Sequence, residues 1–145
     1  MIVNHLGEMY LLVYVCIFVH EAGHAVAALM IGVKVKSFQI GDDLFAVKAG
    51  RVSVSLNPFF GSGVSFCEDQ LRTKGRRHMA FFFLAGIAFS IVTIVIGVIV
   101  SRINSLYGSV LVWTSAYCVA FSSMPWCPWN SDVKQLRRFL RVHEK

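Results

Sequence analysis

Two histidines four residues apart, with a glutamate beside the first, stand at His20-Glu21-Ala22-Gly23-His24. On a helix, residues at that spacing sit one above the other, so both imidazoles can offer a nitrogen to one metal ion, with Glu21 beside its open coordination position. Zinc held by three protein ligands keeps a place for water and lowers its pKa to about 7; a neighbouring carboxylate can then take the proton and later hand it to a leaving amine. That chemistry hydrolyses amides. The bland alternative is a pair of core histidines satisfied by hydrogen bonds, or a chance match on a solvated helix face. The flanks argue against it. Leu11 to Val19 precedes the motif, Ala25 to Ile31 follows it, and Met9 to Val33 holds no other Asp, Glu, Lys, Arg or His. A charge at the centre of such a run costs roughly 2.5 kcal/mol or more in a bilayer, so ionisable groups there call for a role.

The elements that must carry this motif are membrane elements. The 145-residue chain is 56% hydrophobic and only 15% charged, with a mean hydropathy of +0.62. Three apolar runs, 9–33, 79–101 and 106–124, are each long enough to cross a hydrocarbon core of about 30 Å, which takes roughly 20 helical residues. The first is no convincing signal peptide, because Glu8 and no Lys or Arg precedes it and the apolar part is too long, so it is expected to stay in the mature chain. The net charge of +6 is unevenly placed. Lys34, Lys36, Lys48, Arg51, Arg72, Lys74, Arg76 and Arg77 lie between the first two runs. Lys134, Arg137, Arg138, Arg141 and Lys145 follow the third, and Arg102 alone lies between the second and third. The positive-inside rule then predicts a multi-pass cell-membrane protein with its N-terminus outside and its C-terminus cytoplasmic. Nucleic-acid binding becomes unnecessary, since no stacking aromatics interleave the basic groups. Cys16, Cys67, Cys118 and Cys127 form no C-x-x-C pair and indicate no disulfide framework. Cys127 could serve as a thiolate ligand, but a buried neutral thiol is the ordinary reading.

The expected fold class is an α-helical integral membrane protein, one membrane-embedded domain over 1–145. It has three transmembrane helices, a small cytoplasmic-side β-hairpin or sheet, and a basic C-terminal helix at 131–143. Residues 34–57 supply the β segment: Val33 to Ile40 is rich in strand formers, Arg51 to Leu56 alternates polar and apolar, and Gly41-Asp42-Asp43 and Ala49-Gly50 are turn signals. An antiparallel sheet of two or three strands is expected. Leu56 to Phe66 is apolar but broken by Pro58, Gly61 and Gly63, and suits either a re-entrant loop beside the site or an interfacial loop.

A catalytic zinc site needs a third ligand. His5 and Glu8 lie about 18 Å or more along a straight helix from His20. His78 is at a span entrance, and Asp42, Asp43, Glu68 and Asp69 read as solvated turn residues. Asp132 follows the third span after Met124-Pro125-Trp126-Cys127-Pro128-Trp129-Asn130-Ser131. It can be a ligand, or simply part of a helix start capped by Asn130 or Ser131.

The order of these elements resembles the site-2 protease family of intramembrane zinc metalloproteases across most of the chain. His20 to His24 resembles the family's zinc motif. Ile31 to Gly41 and Val52 to Gly63 are similar to its β-hairpin and Gly-rich membrane loop. Leu84-Ala85-Gly86 resembles its Ala-Gly-Pro helix start, and Met124-Pro125 through Asp132 its Asn-x-x-Pro…Asp-Gly segment. Ile87 replaces the usual Pro, Ser122 stands where Asn is usual, Val133 replaces Gly, and the spacing from Pro125 to Asp132 is longer. The resemblance implies Zn²⁺ bound by His20, His24 and Asp132, with Glu21 as the catalytic base. It implies cleavage within a transmembrane protein substrate in the lipid bilayer, as in regulated intramembrane proteolysis. The chain looks like a bare catalytic core. An open sheet edge around Arg51 to Asn57 could pair with an unwound substrate, making Asn57, Ser55 and Gly61 the candidate substrate contacts. Val133, Leu136 and Leu140, opposite the basic residues of the tail, suit a helix lying on the inner leaflet. With only three spans, self-association or a regulatory membrane partner would fit. The rival functions are a non-catalytic membrane adaptor of the same fold, or a metal-ion transporter; neither needs the retained Glu21.

Overall fold

A computed structural model describes residues 2–41, 47–55, 62–124 and 131–142. Helix α1 (Ile2–Met30) contains the His-Glu-x-x-His motif and ends at Gly32, whose φ of 71° belongs to the left-handed region that glycine enters without steric cost. The Gly32 N–H donates to the Leu29 carbonyl and the Val33 N–H to the Ala28 carbonyl, a Schellman cap that satisfies the last turn and buries Val33. The chain then enters β1 (Val35–Ile40), followed by β2 (Val47–Ala49), β3 (Val52–Val54) and β4 (Gly63–Phe66). A short α2 (Glu68–Thr73) leads through Gly75 into α3 (Arg76–Ser101), a tight turn into α4 (Ser105–Ser123), and finally α5 (Asp132–Val142). Asn104 starts α4 by accepting the Leu106 and Tyr107 N–H groups at 3.1 and 3.3 Å.

The apolar runs fall in α1, α3 and α4. Among the described residues, two helical stretches, His5–Met30 and Arg76–Ser101, are long and apolar enough to cross a membrane. The expected third span does not reach that standard. Its helix forms, but Ser105, Gly108, Ser109, Thr114, Ser115, Ser122 and Ser123 dilute its apolar content. Beside its apolar core the bundle buries a set of polar groups, His20, Glu21, His24, Ser90, Thr93, Ser115 and Ser122, while Leu11, Phe18, Ile91, Val92, Val95 and Ile99 are exposed. An outer surface so apolar around buried polar groups suits a lipid surround better than water.

The sheet is mixed and four-stranded, in the order β2-β3-β1-β4, not antiparallel with two or three strands. β1 runs parallel to β3, with Phe38 opposite Val52, and antiparallel to β4, with Phe38 opposite Val64. Residues 63–66, expected within a broken loop, therefore form an edge strand. β3 is flanked on both sides, so Val52–Val54 is not the open edge expected around Arg51 to Asn57. The sheet is tied to α1 by Phe18 against Phe38, ring centroids 5.4 Å apart, and by the Tyr14 hydroxyl donating to the Ser55 carbonyl. β4 therefore lies beside the motif-bearing turns. Phe66 packs on Phe82 of α3 with centroids 4.6 Å apart, and a core of Ala27, Ala28, Leu71, Met79, Phe82 and Phe83 closes that end, with Leu136 of α5 against it.

Candidate metal centre

The two histidines occupy successive turns of α1, with ring centroids 5.2 Å apart and planes at 84°. Each ring is fixed through its Nδ1. His24 Nδ1 lies 2.9 Å from the Phe82 carbonyl oxygen, which can only accept, so Nδ1 carries the proton and Nε2 keeps its lone pair. His20 Nδ1 lies 2.9 Å from Ser90 Oγ, and its Nε2 lies 3.1 Å from Ser122 Oγ on α4. A hydrogen bond at one ring nitrogen is what usually orients a metal-ligating histidine through the other.

Asp132 reaches the same place from α5. Its Oδ2 lies 3.2 Å from His24 Nε2 and 3.4 Å from His20 Nε2. The ligand-capable atoms of all three residues fall within 4.8 Å of one another. The cap of α5 is Ser131: its hydroxyl donates to the Met124 carbonyl at 2.6 Å and accepts the Lys134 N–H at 3.3 Å. Asp132 is thereby left to face the histidines.

These residues fit a metal ion on two observations. Asp132 Oδ2 and His24 Nε2 are buried without a hydrogen-bond partner, a costly state that a cation would relieve. A tetrahedral ion about 2.1 Å from its ligands sets them about 3.4 Å apart, close to the spacings found here. Room for the ion comes from Gly86 of α3: a Cβ there would lie 2.3 Å from His24 Nε2 and 2.9 Å from His20 Cε1. Gly23 lets α3 come this close, since a Cβ on it would meet the Ala85 carbonyl oxygen at 2.7 Å.

Glu21 is buried and lines the same cavity, of about 180 Å³. Gly63, Val64 and Phe66 of β4 form one wall, and Phe121, Ser122, Asp132 and Gln135 form another. Of the expected substrate contacts, Asn57 and Gly61 lie outside the described residues, as do Asp42, Asp43 and Cys127. Ser55 is buried behind β3, its carbonyl taken by Tyr14. His5 and Glu8 pair at 3.3 Å, and Glu8 accepts from the Tyr107 hydroxyl, away from the site. His78 lies 2.7 Å from the Lys74 carbonyl at the surface, and Glu68 and Asp69 open α2. Ser90 and the Phe82 carbonyl escape sequence reasoning, and Gly86 enters it only through the likeness of Leu84-Ala85-Gly86 to the family's helix start, not as a neighbour of the histidines. The one signal for Ser90 is a hydroxyl in the middle of an apolar helix.

The family model for peptidase family M50 matches residues 8–138. No curated protein and no solved structure matches the chain.

Proposed function

The chain belongs to peptidase family M50, the site-2 protease family, and on that premise we propose that it is an intramembrane zinc metalloendopeptidase. Its substrate is another membrane protein, cut in or near a transmembrane segment. The observation that carries this reading is the convergence of His20, His24 and Asp132 on one buried point, with Glu21 lining the same cavity.

In this reading His20, His24 and Asp132 would hold a zinc ion, which would supply Lewis acidity toward the scissile carbonyl and a more acidic water. Glu21 takes the proton from the attacking water and returns it to the amine as the C–N bond breaks, so no other proton carrier is needed. Phe82 and Ser90 hold the imidazoles in the required orientation. Ser122 places a hydroxyl beside the ligating face of His20, where it can donate to the substrate carbonyl. The substrate lies extended along the open edge of β4, whose residues already form a cavity wall. This replaces the edge expected at Arg51 to Asn57.

α4, about 28 Å long at 1.5 Å per residue, serves as the third span despite its hydroxyls, two of which, on Ser115 and Ser122, are buried in the bundle. The distribution of Lys and Arg favours an external N-terminus and a cytoplasmic C-terminus. The test compares membrane proteins from cells carrying wild type or Glu21→Gln. A fragment cut within its span should appear with wild type alone. Equal processing by both forms of every substrate examined would leave an adaptor or a transporter instead.

A further inference from the structure

The end of the bundle nearest the candidate metal centre carries a basic collar that hydrolysis does not use. Lys34 and Lys36 follow α1, Lys74 and Arg77 flank the start of α3, Arg137 and Arg138 lie on α5, and all six side chains are exposed. The connection between α3 and α4, at the other end of these helices, carries Arg102 alone. Of the acids near the collar, Glu68 is engaged with Arg72 at 3.6 Å, beside Asp69 in the first turn of α2. Next to the collar the exposed surface turns apolar, with Leu29 and Met30 on α1 and Phe81 and Leu84 on α3. A ring of cations at the foot of an apolar wall matches a lipid surface, with the cations at the level of its phosphates. An acidic protein would match the charge but not the wall.

α5 is where this matters. An eleven-residue helix is marginal by itself in water. Lys134 and Arg137, and Lys134 and Arg138, are like-charge pairs at spacings that oppose the helix. Its restraints include the Ser131 cap, the packing of Leu136 on the core, and Asp132 facing the histidines. Among the described residues, no ion pair joins Arg137 or Arg138 to an acid. The helix that delivers Asp132 is thus anchored at its start and carries uncompensated positive charge one turn further on.

We propose that this collar binds the headgroups of anionic phospholipids, and that seating α5 on them holds Asp132 in place, so that metal affinity depends on lipid charge. The inference rests on the ligand set proposed above. The full chain is placed in nanodiscs of phosphatidylcholine, with or without phosphatidylglycerol. Zinc affinity is measured by chelator competition, and amide exchange of α5 is followed in the same discs. Anionic lipid should tighten zinc binding about tenfold and slow exchange in α5. The double variant Arg137→Gln/Arg138→Gln should show one affinity in both lipids, and Arg137→Lys/Arg138→Lys should keep the response. Equal wild-type affinity in both lipids overturns the proposal, as does a lipid response that persists in the glutamine variant. Inorganic phosphate or polyglutamate reproducing the gain in phosphatidylcholine discs would assign the collar to a soluble anion or an acidic protein instead. If zinc binds in neither lipid, the ligand set fails, and exchange in α5 still decides the lipid question.

Discussion

Two helix contacts in this bundle are made by glycine, and they differ in what the missing side chain makes room for. Where α1 meets α3, a Cβ on Gly86 would strike His24 Nε2 and His20 Cε1. Where α3 turns into α4, a Cβ on Gly108 would lie 2.4 Å from the backbone of Ser101, and one on Gly97 would lie 2.9 Å from Leu111 Cβ. Small residues let membrane helices approach closely in either case. At the second contact the approach does nothing but pack. At the first it leaves a space bounded by three ligand-capable atoms. A glycine's role is therefore set by the atom its Cβ would displace, which composition cannot reveal.

Substitutions at the two contacts should separate these roles. The largest effect should come from Gly86→Ala: zinc is lost on dialysis and cleavage falls by about 100-fold or more, while circular dichroism shows the helices intact. Gly108→Ala should do the converse, lowering folding stability by about 1–3 kcal/mol in denaturant titrations while the folded fraction keeps its zinc. Similar profiles for the two variants would abolish the distinction. Ser90→Ala removes the partner of His20 Nδ1 and should weaken zinc about tenfold, read by chelator competition, with little change in melting temperature. The smallest effect is expected from Tyr14→Phe, which removes the hydroxyl bonded to the Ser55 carbonyl and should cost about 1 kcal/mol of stability with zinc affinity unchanged.

The same contrast explains what was legible in the sequence. A motif whose ligands are four apart on one helix states its own geometry, and Gly32 announces the end of that helix. Asp132 could be singled out because ionisable residues are scarce, but only the folded chain shows Ser131 taking the cap and leaving the carboxylate for the histidines. β4 was not legible. Gly63-Val64-Ser65-Phe66 is short, follows a glycine-broken run, and becomes a strand through pairing with distant β1. The same long-range pairing puts β3 inside the sheet and makes β4, whose residues line the cavity, an edge strand among the described residues. Nor could hydropathy reveal Gly86 and Ser90 as neighbours of the histidines, since their effect lies in the partner helix.

The central claim is that His20, His24 and Asp132 together hold one zinc ion. The measurement for it is X-ray absorption at the zinc edge of the reconstituted protein. The expected result is about one zinc per chain in a light-atom shell, with the imidazole signature of two histidines that is lost in His24→Ala. A sulfur shell from the cysteines, or a spectrum unchanged by His24→Ala, would contradict it.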